Sequence, residues 1–499
     1  MMTDPLLPPR LFTPRDRTDY LFALALPTLP VDGTVIGFYQ PFWTPISPWL
    51  LVVYCLLNPK LLRQSARTYT PLMALPIALI ALSIPGWMAF GFHANAVLMS
   101  LSGVIAVPMS IVALDIAFCR KHLSWQESIR IIIAAYWFAF AVGVAQWLAI
   151  RAGLANAQGY FSQLMARSYV ETGAHWAGDH ARPQFLFAEP SYIGMHLFGV
   201  LLPLFWLIRP RDSVYAKRLK HLIMAFAAGS VAIGAGVRIV LDSLVALIVV
   251  IIVELRWSDA AQRRKGTLLL GVMAAAGAVC CVVVPRLRSI MTHGITGDGS
   301  FFGRIYQSLG PLGGILEHPW TALTGFGAGN IADAMHAGST NAARMLTLLG
   351  TDPHTATNWY ASITPDTAWT MSAYTSFITE FGMIGFIAFL AVTLRFVTCG
   401  SGSQSGTTTP VSVRYSHNTI ANDQSNNSRI TTAPGTPRPW TKLTICWLVL
   451  LAYLYLQFEG YTFVAIPLFV WSMTNCEHCY STVIPKSELK GSTAADISQ

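Results

Sequence analysis

Apolar stretches of about 20 residues recur along most of this chain, and charge is largely kept out of them. A helix of that length crosses the ~30 Å hydrocarbon layer of a bilayer. Only 11% of the residues are charged and 53% are hydrophobic, against roughly 25% charged in soluble domains. A globule so poor in charge has too little polar surface to stay in water. Lipid is its natural solvent, and helices are the simplest way to satisfy the backbone there. The net charge of +9 does not point to nucleic acid, because the basic residues lie scattered between apolar runs and form no single basic face. The expectation is an all-α polytopic membrane protein.

Roughly twelve spans are expected, near 20–39, 41–58, 71–91, 96–118, 129–150, 191–208, 221–237, 239–254, 267–285, 372–397, 442–458 and 460–475. Pro27, Pro30 and Asp32 interrupt the first, and the seventh and eighth are short enough for a re-entrant pair. The expected divisions are helices 1–5 over 1–150, a first outer loop over 151–190, helices 6–9 over 191–285 and a second outer loop over 286–371. Helix 10 follows over 372–397, then a cytoplasmic connection over 398–441, helices 11–12 over 442–475 and a tail over 476–499. The N-terminus has Arg10, Arg15 and Arg17 but no short apolar core followed by an A-x-A cleavage site.

Basic residues orient the chain. Lys60, Arg63 and Arg67 share one loop, and Arg120, Lys121 and Arg130 flank the next alternate one. Arg209, Arg211, Lys217, Arg218 and Lys220 fill a third, and Arg256, Arg263, Arg264 and Lys265 a fourth. Every second loop is basic, which places these loops and both termini in the cytoplasm. The Ser-, Thr-, Asn- and Pro-rich stretch from Gly400 to Pro439 reads as a disordered cytoplasmic connection. Its sequon at Asn426-Asn427-Ser428 faces the wrong side for glycosylation. The eight cysteines avoid the outer loops, so a disulfide framework is not expected. Cys476-Glu477-His478-Cys479 is an isolated CxxC and reads as incidental thiols.

The outer side carries Arg151, Arg167, Arg182, Arg238, Arg286, Arg288, Arg304 and Arg344 but no lysine. Guanidinium presents a planar fork suited to phosphate and carboxylate and stays charged. Such a set points to an anionic ligand. The plainer reading pairs these arginines with loop acids such as Glu171, Asp179, Asp298, Glu317 and Asp352. The sharpest local pattern is Arg182-Pro183-Gln184-Phe185-Leu186-Phe187-Ala188-Glu189-Pro190-Ser191-Tyr192, which ends the first outer loop and opens the sixth span. Ser191 is expected to cap that helix, Pro190 suits its first turn, and Glu189 lies near its positive end. Either this is a well-capped helix and nothing more, or Glu189 is a surface carboxylate able to position or deprotonate a sugar hydroxyl.

Arg238 divides two apolar runs, and mid-bilayer it would cost about 2.5–3.5 kcal/mol. The turn of a helical hairpin is the cheaper place, with Asp242 as an i,i+4 partner. In the second loop, Phe302-Gly303-Arg304 precedes His318-Pro319-Trp320 and Gly325-Phe326-Gly327-Ala328-Gly329-Asn330. No strand precedes this glycine run, so a dinucleotide site is not indicated. A turn that lets backbone approach a phosphate or sugar fits better, through Gly325, Gly327 and Asn330. His318 and His354 are candidate bases or phosphate contacts, or ordinary loop histidines. No close metal-ligand spacing occurs, and neither a metal nor an organic cofactor is expected. No internal repeat is found.

The order of these motifs resembles the O-antigen polymerase and ligase superfamily, which includes the Wzy-type polymerases. The resemblance rests on Arg182 with Phe187-Ala188-Glu189-Pro190-Ser191, then Arg238, then Arg304, His318-Pro319 and Gly325–Asn330, and finally Glu380-Phe381-Gly382-Met383-Ile384-Gly385. It covers roughly residues 130–400. It implies a GT-C-like fold in a bacterial inner membrane and a metal-independent glycosyltransferase working at the periplasmic face. The implied substrate is a glycan on undecaprenyl pyrophosphate, with membrane lipid, a flippase and a chain-length regulator as partners. The product would be O-antigen, capsule or exopolysaccharide. Family ligases carry H-[NSQ]-x9-G-x-x-[GTY]; here Met371 takes the histidine position before Ser372 and Gly382–Gly385. A thioether cannot transfer protons as imidazole does, which favours polymerase over ligase. The R-x10-G motif of some polymerases is not met, since nine residues separate Arg304 from Gly314 and eleven separate Arg182 from Gly194.

The expected roles follow. Glu189, Arg238 and Arg304 act on the reacting groups, while Arg182, Ser191, His318, Gly325, Gly327, Asn330 and His354 bind substrate. The alternatives are an O-antigen ligase or protein O-oligosaccharyltransferase and, from another class, a lipid-linked sugar flippase. Transporters commonly have short outer loops and charges along a central path, unlike this chain.

Overall fold

The structure is a computed structural model that describes residues 12–39, 44–173, 181–209, 212–368, 370 and 372–402. Expected features at Arg10, Asp179, Trp369, Met371, the 403–441 connection, the last two spans and the CxxC tail lie outside the described residues.

Among the described residues the chain is mostly helical. After α1 (Asp19–Ala25) comes a short turn of 3-10 helix, Leu29–Val31, and a two-residue antiparallel pairing of β1 (Phe38–Tyr39) with β2 (Thr44–Pro45). Then follow α2 (Ile46–Leu56), α3 (Pro59–Thr68), α4 (Thr70–Phe90), α5 (Ala94–Leu114, continued by wider turns to Arg120) and α6 (Trp125–Arg151). The first long connecting segment holds α7 (Ala155–Leu164). Next are α8 (Pro190–Ile208), α9 (Ser213–Ala232), α10 (Val237–Glu254) and α11 (Ala260–Val283). The second holds α12 (Pro285–His293), α13 (Gly299–Glu317), α14 (Thr321–Thr324), α15 (Ile331–Leu348) and α16 (His354–Ser362). The last, α17, runs from Ala373 to Gly402.

Six helices among the described residues are long and apolar enough to cross a bilayer: α4, α5 with its extension, α6, α8, α11 and α17. They coincide with expected spans three to six, nine and ten. The protein is therefore membrane-embedded and mainly helical. The expected first span does not form. Pro27, Pro30 and buried Asp32 break it into α1, a 3-10 turn and an extended segment. The second shrinks to the 11 residues of α2. The seventh and eighth become the antiparallel neighbours α9 and α10, which are apolar but carry Lys217, Arg218 and Lys220, and Arg238, Asp242 and Glu254. Helix α17 also runs past the expected end at 397, to Gly402.

The basic loops gather at one end. Arg120 Nε bonds Ser65 Oγ at 3.2 Å and pairs with Asp115 at 3.1 Å. Trp125 stacks edge-on with Tyr215, and Arg209 meets Glu254 at 2.9 Å. Lys121 ties the N-terminal segment there through Asp16 at 2.6 Å and buried Asp19 at 2.9 Å. The second connecting segment has its own apolar core, in which Met335, Leu346 and Tyr360 from α15 and α16 pack on Phe302, Ile305 and Tyr306 of α13. Helices α13 and α15 meet backbone to backbone, because a side chain at Gly313 would strike the carbonyl of Gly338.

Candidate functional site

Glu189 sits at the end of a segment that dives into the bundle. Phe185 and Phe187 are fully buried, and Phe185 holds φ +62°, a strained value for a non-glycine residue. Two buried glutamines keep it there. Gln146 of α6 accepts from the backbone N–H of Gln184 and Phe185 and donates to the Phe185 carbonyl at 2.8 Å. Gln184 donates to the carbonyls of Arg167 and Phe187 and accepts from the Tyr169 N–H at 2.6 Å. The carbonyls and amides of an irregular strand are thus satisfied without water.

Behind Glu189 lies a buried polar chain. Asp32 accepts from the Ala188 N–H at 3.3 Å and meets His196 Nε2 at 3.0 Å, while His196 Nδ1 lies 2.8 Å from the Tyr136 hydroxyl. Asp32 and His196 are 2% exposed and Tyr136 is fully buried, so each needs these partners. A neutral imidazole protonated on Nε2 satisfies both, donating to Asp32 and accepting from Tyr136.

The Glu189 carboxylate itself accepts from Ser191 Oγ at 2.9 Å and pairs with Arg167 at 3.4 Å. Ser191 is therefore not the helix cap: the cap position is Glu189, whose side chain makes no capping bond. Pro190 does open the first turn, as expected. Tyr169 hydrogen-bonds Glu189, and the Arg182 guanidinium lies 5.0 Å over the Tyr169 ring. Arg182 Nε is buried and makes no hydrogen bond.

Arg238 stands at the turn between α9 and α10, where the hairpin reading put it, and pairs with Asp242 at 3.6 Å. Close packing brings that turn to Glu189. A Cβ at Gly194 would collide with the Asp242 carboxylate, and one at Gly236 would touch Pro190. Arg286 grips Asp298 with two hydrogen bonds of 2.6 and 2.8 Å. Arg304 donates to the Ser300 carbonyl at 2.8 Å. Burial, followed by the charges of Arg238 and Arg286, lowers the Arg304 pKa, with Glu189 and Asp298 opposing. The Arg182 pKa is lowered chiefly by burial and also by Arg286, against Tyr169 and Glu189. Arg167, Arg182, Arg238, Arg286 and Arg304 therefore share one electrostatic neighbourhood with Glu189, Asp242 and Asp298. Arg151, Arg288 and Arg344 are exposed and stand outside this set.

Other expected site residues have different surroundings. The glycine turn has no free donor for a phosphate. Gly325 N–H bonds the Thr321 carbonyl, Phe326 N–H that of Thr379, Gly327 N–H that of Glu380 and Asn330 N–H that of Gly327. Ala328 N–H bonds Ser83 Oγ and Gly329 N–H the Glu380 carboxylate. Asn330 Nδ2 spans the Gly91 and Phe326 carbonyls. These hydrogen bonds join helices to one another and occupy the amides of the turn inside the protein. His318 packs its ring on Phe90 and Phe326. His354 is exposed at the start of α16, where its N–H is held by Asp352. Neither histidine hydrogen-bonds or pairs with an arginine of the cluster. Among the described residues no three His, Cys, Asp or Glu side chains lie close enough to hold a metal ion. Arg167, Tyr169 and the Asp32–His196–Tyr136 chain were not foreseen as site residues, although Asp32 stood out as a charge inside an apolar run. No protein-family model and no curated protein matches this chain.

Proposed function

We propose that the protein is a metal-independent glycosyltransferase that polymerises oligosaccharide units carried on undecaprenyl pyrophosphate. The working face would be periplasmic, on a many-span inner-membrane body with two long outer loops and a GT-C-like organisation. The observation that carries this reading is a cluster of five arginines around three carboxylates, Glu189, Asp242 and Asp298, drawn from segments as far apart in sequence as Arg167 and Arg304. Three acids offset three of these cations, which leaves a surplus of two positive charges. A diphosphate diester is dianionic and matches that surplus.

In this mechanism Arg238 and Arg304, with Arg182 beside them, hold the diphosphate of the growing chain. The acceptor sugar's hydroxyl oxygen attacks the anomeric carbon, and its proton passes to the Glu189 carboxylate. The bond from that carbon to the diphosphate breaks, and the electron pair leaves on phosphate oxygen. The arginines stabilise that developing charge. Charge-assisted hydrogen bonds contribute about 1.5–3 kcal/mol each, so two or three lower the barrier by several powers of ten. Single displacement inverts the anomeric centre.

The test is glycan analysis of strains carrying Arg304→Ala, Arg238→Ala or Glu189→Gln. Loss of a general base typically costs ~10²–10⁴-fold, so Glu189→Gln is expected to leave single-unit glycans where wild type makes ladders. Full-length ladders from all three variants would refute the proposal. Finished polymer retained on its lipid carrier would instead indicate a ligase, and units trapped in the cytoplasm a flippase.

A further inference from the structure

We infer that residues 320–330 form a re-entrant wedge that enters the membrane from the face bearing the arginine cluster, with Leu323 turned to acyl chains. The depth of this segment follows from the membrane spans and does not depend on the proposed activity.

The tip of the wedge touches two spans well inside their ends. Ala328 N–H bonds Ser83 Oγ at 3.1 Å, and Ser83 lies seven residues before the end of α4 at Phe90. Gly327 N–H bonds the Glu380 carbonyl at 3.0 Å, seven residues after α17 begins at Ala373. At 1.5 Å per residue both helices place the tip about 10 Å below their ends. The exit is shallower. Gly329 packs on Ala96 and Val97, at the start of α5, and Asn330 Nδ2 bonds the Gly91 carbonyl between α4 and α5 at 3.0 Å. A segment that goes down along α4 and α17 and comes up beside α5 has entered and left by the same face.

Irregular backbone survives at such depth only where protein satisfies its polar groups. Here all six amides from Gly325 to Asn330 are bonded within the protein. Helix α17 is built to receive the wedge. It breaks at Gly382, φ +65°, where any side chain would strike the Leu323 carbonyl, and Thr379 and Glu380 just before the break offer their carbonyls to the wedge. Trp320 stacks parallel on Phe90, the last residue of α4, at 5.9 Å. A Trp at the end of a span is the usual interfacial arrangement. One turn on, Leu323 is 58% exposed. At that depth α4 exposes Ile84 and α17 exposes Met383 and Ile384, so the Leu323 side chain continues a surface that faces hydrocarbon.

The test uses the wild-type full chain in phospholipid vesicles. One lipid carries a photoactivatable diazirine mid-chain, a second carries it near the headgroup, and hydroxyl radicals probe water access. Adducts are mapped by peptide mass spectrometry, with Ile77 and Ile84 of α4 as internal references. Leu323 is expected to take mid-chain adducts as heavily as Ile84 and to escape oxidation, while Trp320 favours the headgroup probe. Lipid adducts on Ile77 and Ile84 with none on Leu323 overturn the inference. That holds whether Leu323 is then oxidised from water or shielded from both probes by protein.

Discussion

Asp32 is a charge inside an apolar run, yet it is not a defect of the fold. It holds the Ala188 amide with one oxygen and His196 with the other. Removing Asp32 leaves two buried donors, the Ala188 N–H and the His196 ring N–H, without an acceptor, at a cost of about 1–3 kcal/mol each. Asp32→Ala should therefore lower the thermal midpoint of the detergent-solubilised protein strongly. Asp32→Asn, which keeps an oxygen for Ala188, should lower it less. Equal midpoints for Asp32→Ala and wild type would show that the brace contributes nothing. Single residues were legible in the sequence to very different degrees. Arg238 could be placed at a hairpin turn because the penalty for a charge in hydrocarbon leaves few alternatives. Arg167 and Tyr169 could not be assigned, since nothing local in their sequence says that Gln184 will fold their strand back onto Glu189.

At the scale of elements, Asp298 couples two helices of the second connecting segment. It accepts from the Phe301 N–H as the cap of α13 and from Arg286 of α12. Burial pushes its pKa up, but the hydrogen bonds of Arg286 and Phe301 and the charges of Arg286 and Arg304 outweigh that, and the net shift is downward. A carboxyl depressed in the folded state adds stability above its ordinary value of 3.8 and loses it as pH falls through the lower folded value. Amide hydrogen exchange over residues 285–305 should therefore be unchanged near pH 5 and should rise only when pH is taken below the ordinary carboxylate range. Asp298→Asn keeps the cap but not the charge, so it should exchange faster at pH 5 and lose the acid-dependent step; an acid step of undiminished size in that variant would assign it to another group. The glycine turn teaches the opposite lesson about elements. Its G-x-G-x-G pattern permits close backbone approach, and the group it meets inside the protein is the Glu380 carbonyl of α17. Partner identity across some fifty residues is tertiary information that spacing does not carry.

For the whole molecule, the sequence showed membrane class and six of the helices plainly, because long apolar runs have no other stable home. It missed that the first apolar run breaks where it encloses a charge that finds an internal partner, as Asp32 does with His196. Sidedness is the property on which every reading of the arginine cluster turns. The four lysine-containing loops converge at one end of the bundle through Arg120, Trp125, Tyr215 and Arg209, and the cluster belongs to the segments that join the opposite ends of the same helices. The positive-inside rule predicts that the cluster lies outside the cytoplasm. A short epitope inserted after Gly350, an exposed left-handed turn with open space around it, should bind antibody on intact spheroplasts. The same epitope after exposed Ser258, between α10 and α11, should bind only once the membrane is permeabilised. The reverse pattern would put five guanidinium groups on the side where lipid-linked units are built rather than joined, and the diphosphate they are proposed to hold would belong to a different reaction.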